Sequence, residues 1–261
     1  HRAASSLRHH QGAARQQEDE RVMNLELMPA RTPNQDVSGF GLFSDGDAGQ
    51  AHVTAHRMLD QGRHELGSRL LGAWLEGRTG SGSEWTHLQW HMAVFELALG
   101  KWDAALLRFE RHILPVAAQS YDALTDAPAM LWRLQLAAPR SVRLPWEPLC
   151  RTAACRLSEP CDPYVELHCL LALAGGRRIR SLDQWLGARP TTDDPKGMLL
   201  NRLGLGLRAF AADDEQLAAA VLSSAVPKVS ELGGSHAQNL LFLEILQLSL
   251  EQAGRSMPAA A

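Results

Sequence analysis

A turn frame that returns about every 38 residues constrains this chain more than any other feature. Gly100 is followed by an aromatic residue two places on (Trp102), a small one five places on (Ala105) and a large apolar one nine places on (Phe109). The glycine ends one helix, the small residue lets two helices cross closely, and the large residue fills the seam. The frame recurs at Gly62 (His64, Gly67, Leu71), at Gly176 (Arg178, Ser181, Trp185) and, more weakly, at Asp213 (Glu215, Ala218, Leu222). The steps 62 to 100, 100 to 176 and 176 to 213 are 38, 76 and 37 residues, so one repeat near Ala138 has lost its glycine. A fixed period of this length predicts helix pairs that stack and bury their apolar faces against one another, an α-solenoid.

Residues 1–48 are polar and lack a sustained period, which reads as a disordered leader or the remnant of an upstream region. A chain that opens on His1 reads as a fragment or a processed product. Residues 49–254 are expected to hold about five helix pairs and a terminal capping helix, in an all-α, TPR-like helical-hairpin repeat. Residues 255–261 are expected to be a disordered tail. With 45% apolar and 21% charged residues the composition is that of an ordinary globular domain, and no apolar run approaches the roughly 18 residues of a membrane span. A net charge of -3 lacks the basic footprint that nucleic acid or an anionic membrane requires. The four cysteines have no CxxC spacing and read as reduced thiols in a cytoplasmic protein.

The chemistry-bearing residues fall on the first helix of each pair. His52 and His56 are four residues apart, as are His87 and His91, which puts both rings of a pair on one helix face. Asp126, Glu166 and His168 belong to the first helices of later pairs, and His236 opens the terminal helix. If the first helices line an inner surface, all eight side chains face one groove. No motif names a cofactor. As a metal site the set is His52, His56, His87, His91 and His168, backed by Asp126, Glu166 and His236, and its ligand types suit zinc, iron or manganese. The spacing HxxxH lacks the glutamate of the HExxH proteases, and buried histidines in helical stacks more often satisfy one another, a carboxylate or a carbonyl. The polar network is therefore the default and the metal its alternative. The tryptophans read as seam packing, Arg177, Arg178 and Arg180 as a solvated turn, and Leu203-Gly-Leu-Gly206 as helix rather than phosphate loop.

Several ordered motifs carry a resemblance. His52-Val-Thr-Ala-His56 with a following Gln-Gly-Arg, His87-x-x-Trp90-His91 with Gly100 and HILP, Asp126-x-x-x-Met-Leu-Trp-Arg-Leu, and Gly233-Gly-Ser-His-Ala-Gln238 resemble the tetratricopeptide repeat protein 38 family. The similarity covers about residues 50–254 and implies an all-helical, TPR-like repeat, without an established enzymatic activity, whose N-terminal helices are missing here. Leu59 stands where that family tends to have Glu, and Asn239-Leu240 where it continues Arg-Asp, so two polar positions of any family site are absent. The function expected from these readings is a protein-interaction scaffold that receives a protein or peptide partner in its inner groove. The alternative is a metal-binding protein or metal-dependent enzyme built on the histidine cluster.

Overall fold

Four helices of this chain end in the same capped turn, and that turn sets the architecture. A computed structural model describes residues 47–256, apart from 122, 140–141 and 190–192. The expected leader lies outside the described residues up to position 46, and so does the expected tail from 257 onward.

Among the described residues the regular structure is helical, with no strand. The helices pair as expected from sequence: α1 (Ala48–Asp60) with α2 (His64–Leu75), and α3 (Gly82–Ala98) with α4 (Trp102–Arg108). Next come α5 (Ala127–Leu136) with α6 (Trp146–Arg156), and α7 (Pro163–Gly175) with α8 (Ile179–Ala188). Last come α9 (Pro195–Ala211) with α10 (Glu215–Ala225), and the terminal α11 (His236–Ser256). A π-helical stretch, Phe109–Ile113, and a short turn, Leu114–Ala117, continue α4. Pro115, with no N–H and a ring that crowds the preceding turn, accounts for the widening.

Four of the five pairs turn by the same backbone device. The amide of Arg63 donates to the Met58 carbonyl (2.9 Å), Lys101 to Glu96 (2.8 Å), Arg178 to Leu173 (2.8 Å) and Asp214 to Ala209 (3.0 Å). The residue before each donor is left-handed: Gly62, Gly100, Arg177 and Asp213. This is the Schellman arrangement, in which a six-to-one bond satisfies a late helical carbonyl. In each case the donor is also the N-cap of the next helix, so no loop intervenes. The sequence frame placed the fourth turn at Gly176, and the structure corrects it by one residue. Gly176 is right-handed (φ -80), and its missing side chain serves contact instead, since a Cβ there would lie 2.2 Å from Cys150 Sγ. Arg177 and Asp213 take left-handed backbone without being glycine, and their side chains pair, Arg177 Nη1 to Asp213 Oδ1 at 2.9 Å.

Tight turns align the first helices. α1 packs on α3, α3 on α5, α5 on α7 and α7 on α9, while the second helices flank this row. The helices in the middle of the row, α3, α5 and α7, are therefore buried on most sides. Indole N–H groups join neighbours: Trp102 donates to the Leu134 carbonyl and Trp132 to the Leu171 carbonyl, both at 2.8 Å. The last helix does more than cap α10. It also packs against α1 and α5, and Arg133 donates to the carbonyl of Ala237 (2.6 Å) in its first turn.

Two glycines test this account separately. Gly62 has open space around its missing side chain but a φ of 65, so Gly62→Ala is expected to cost about 1 kcal/mol from backbone strain alone. Gly67 has no such backbone demand, but a Cβ there would lie 2.3 Å from the Phe95 ring, so Gly67→Ala is expected to cost about 1–3 kcal/mol by overpacking the α2–α3 crossing. Urea unfolding measures both, and a Gly67→Ala protein more stable than the wild type would refute the close crossing.

Candidate metal centre

Because α1 and α3 are neighbours in the row, their histidine pairs meet. His52 lies beside His87 (ring centroids 4.8 Å) and His56 beside His91 (4.4 Å), as two helices running the same way require. Within each helix the rings of the pair are one turn apart, at 4.6 Å for His52–His56 and 4.5 Å for His87–His91. Each ring offers one nitrogen to a common point, and those four atoms lie within 4.8 Å of one another. The expected polar network accounts for three of the rings. His56 Nε2 and His52 Nε2 share a hydrogen bond at 2.9 Å, and His87 Nδ1 donates to Asp126 Oδ2 at 2.8 Å. A carboxylate only accepts, so His87 Nδ1 carries a proton, and in the neutral ring its Nε2 presents the lone pair that a metal-ligating imidazole needs.

His91 is the exception. It is fully buried, and neither of its ring nitrogens has a partner. A neutral imidazole carries one donor and one acceptor, and leaving each unmet in an interior costs about 1–3 kcal/mol. Asp126 has taken up its ring neighbour through one oxygen only, and its Oδ1 is likewise buried and unpartnered.

The electrostatics favour neutral rings at three of the four positions. Burial, then the neighbouring imidazoles, lowers the pKa of His52 and His56 below the ordinary histidine value, and holds that of His91 well below it. Burial also pulls His87 down, but the hydrogen bond and charge of Asp126 outweigh it, so its pKa is raised. Neutral imidazole is the form that ligates metals.

Sequence reasoning missed two residues that hold these rings. Trp90 stacks on His87 with 5° between planes at 5.5 Å, and meets His91 edge-on at 5.0 Å. The Arg133 guanidinium lies over Trp90, 5.5 Å from the ring centroid, and its bonds to the first turn of α11 fix it there. The signal was present as the Trp in HxxWH, one turn after His87, but an indole in a helical seam carries no sign of stacking on a particular neighbour.

Three expected members lie elsewhere. His168, on α7, does not belong to the four-histidine group. α5 stands between α3 and α7 in the row, and each helix-to-helix step is about 8–10 Å. His168 instead donates from Nδ1 to the Tyr164 carbonyl (2.8 Å) and packs edge-on against Phe242 of α11. Glu166 accepts from Trp185 Nε1 (2.8 Å) and from Arg189 Nη1 (3.0 Å), which ties α7 to α8 and the segment after it. His236 is exposed at the start of α11. Asp126 is thus the one expected partner that the structure places against the four histidines, through His87. The cysteines are free thiols, with Cys150 and Cys169 buried, and the arginine turn forms ion pairs from Arg177 to Asp213 and from Arg178 to Glu147. No protein-family model and no solved structure matches this chain.

Burial pushes the His168 pKa down to about 4, against a weaker upward pull from the Tyr164 carbonyl. Its folded value is below that of the unfolded chain, about 6.5, so the unfolded state binds the proton first. The contribution is complete above about pH 6.5 and is lost as pH falls towards 4, amounting to about 3 kcal/mol. The difference in unfolding free energy between the wild type and His168→Leu, measured from pH 7 to pH 4.5, should therefore change in favour of the variant on acidification. A difference independent of pH would show that His168 titrates normally.

Proposed function

We propose that this chain is a metal-binding protein with a TPR-like arrangement of helix pairs, in which His52, His56, His87 and His91 bind one divalent transition-metal ion between α1 and α3. The observation that carries the reading is His91, a buried imidazole without a partner at the meeting point of three others. A metal ion would replace its missing hydrogen bonds with a stronger interaction and would use the lone pair that Asp126 leaves on His87. Asp126 would orient that ring and raise its basicity. The donor set is all imidazole, which suits zinc, copper, iron and nickel, and excludes the hard oxygen-seeking ions.

The repeat arrangement is supported by the common turn at four hairpins and by the continuous row of first helices. The motifs that resemble the tetratricopeptide repeat protein 38 family fall on that row, on the turns after it, on the stretch that continues α4 and on the start of α11, so membership is part of this proposal. Free thiols and the absence, among the described residues, of a helix able to cross a membrane accord with a cytoplasmic location. The scaffold reading has less beneath it, because α11 lies against α1 and α5, the helices that an inner groove would offer to a partner.

The test is elemental analysis of the full chain, purified without a histidine tag, beside His87→Ala/His91→Ala. One metal per chain that is lost in the double variant supports the reading, and Asp126→Asn is expected to retain metal with about 10–100-fold weaker affinity. A folded wild type that takes up no zinc, copper, cobalt or nickel after metal removal and titration would overturn it.

A further inference from the structure

A second cluster of buried polar groups lies where α7 meets the Gly233–Gln238 motif, and the metal reading uses none of it. Ser235 and Gln238 cap the start of α11 reciprocally: the Gln238 amide donates to Ser235 Oγ at 3.3 Å and the Ser235 amide to Gln238 Oε1 at 2.9 Å. The turn before this cap, Gly233 and Gly234, lies against Tyr164, so closely that a Cβ on Gly234 would be 2.2 Å from the phenolic oxygen. Asn239 donates from Nδ2 to the Gly233 carbonyl (3.0 Å), which keeps its amide at the same turn. One helical turn along α7 from Tyr164, the His168 ring lies 4.4 Å from the tyrosine ring and edge-on to Phe242 of α11 at 5.9 Å.

Three buried atoms of this cluster have no partner in the protein: the Tyr164 hydroxyl, His168 Nε2 and Asn239 Oδ1. Their side chains are each at least nine-tenths buried, and the bonds they already make settle what each atom needs. His168 Nδ1 donates to the Tyr164 carbonyl, so in the neutral ring Nε2 accepts. Asn239 donates through Nδ2, and its Oδ1 accepts. Burial, which holds the His168 pKa at about 4 and raises that of Tyr164, keeps the imidazole neutral and the phenol protonated, so the hydroxyl is free to donate.

Two acceptors and one hydroxyl donor are complemented by an occupant that donates twice and accepts once. A carboxylate or phosphate donates nothing, an ammonium ion accepts nothing, and an alcohol donates only once. Water does all three through one oxygen, and internal waters typically make about three such bonds to polar groups that the chain leaves unmet.

We propose that one internal water molecule is bound at this junction, accepting from the Tyr164 hydroxyl and donating to His168 Nε2 and Asn239 Oδ1. It joins two side chains of α7 to the first turn of α11, beside the carbonyls of Ala237 and Gln238 that Arg133 holds. The start of α11 therefore sits on a hydrated polar seat rather than a dry one. None of the four histidines between α1 and α3 takes part, so the site stands whether or not a metal binds there.

The experiment is a double-mutant cycle on the full chain by urea unfolding, together with a high-resolution crystal structure of the wild type. The structure is expected to show one water oxygen within hydrogen-bonding distance of all three atoms. Tyr164→Phe removes the donor and almost no volume, and is expected to lower the folding equilibrium constant about tenfold. In a His168→Leu background, where the water has already lost a partner, the same substitution is expected to cost clearly less. The cycle with Asn239→Ala repeats the measurement from the α11 side, with the same reduced cost expected. At a dry junction the hydroxyl is simply unpaired, and Tyr164→Phe leaves stability unchanged or raises it. That sign, or a crystal structure with no water at the junction, would overturn the site. Effects that merely add in the double variants would give the groups separate partners and overturn the shared water.

Discussion

The six-to-one hydrogen bond that ends four of the five first helices is the constraint on which the rest depends. A helix leaves its last carbonyls without partners, and here four helices close them the same way, with one left-handed residue and no loop. Because the donor of that bond also caps the next helix, the two helices of a pair cannot drift relative to one another. Successive first helices then lie side by side, and the second helices pack against them so closely that Gly67 of α2 faces Phe95 of α3, Gly175 of α7 faces Trp146 of α6 and Gly204 of α9 faces Trp185 of α8, where any larger side chain would collide.

Burying a continuous row of helices raises the cost of every polar side chain on it, and the chain meets that cost with local pairs. Arg108 binds Glu96 through two nitrogens, Trp185 and Arg189 hold Glu166, and Trp132 reaches a helical carbonyl two elements away. Other buried polar atoms go without a partner, among them Trp90 Nε1, Tyr164 OH and His168 Nε2, but His91 is the side chain that lacks one at both of its ring nitrogens. His87 has Asp126 and His52 has His56, yet the most deeply buried ring has nothing, in a row where nearly every other buried side chain with a charge has found a partner. A buried imidazole left unmet beside three others is the feature on which the proposal of a bound metal ion rests.

The terminal helix binds the two ends of the row together. α11 packs on α10, with Gln216 donating to the Ala253 carbonyl, and also lies against α1 and α5, where Arg133 holds its first turn. Tyr164 fits onto Gly233 and Gly234, where a side chain on Gly234 would lie 2.2 Å from the tyrosine oxygen. Arg133 completes the tie, since it holds the α11 backbone and at the same time lies over Trp90, which in turn stacks on His87. The histidine group is thus held from behind by the segment farthest from it in sequence.

By itself the sequence determined what depends on neighbours along the chain: where helices start and stop, the period of the pairs, the missing glycine of the third pair, and the placement of two histidines on one face of α1 and of α3. These follow from backbone preferences and the 3.6-residue turn, which act over a few residues. Only the tertiary structure decided which faces meet. The turns repeat at 38 residues, but His52 and His56 face His87 and His91 at an offset of 35, because the distance from histidine pair to helix end differs between α1 and α3. His168 shares the residue type and the helix position of the others, yet an intervening helix removes it from the group. The choice of Trp90 as stacking partner, of Arg177 over Gly176 as the left-handed residue, and of α1 and α5 as the seat of α11 was likewise decided by packing. Such choices depend on how side chains tens of residues apart share one interior volume, and that information is distributed over the whole core rather than written at any one position.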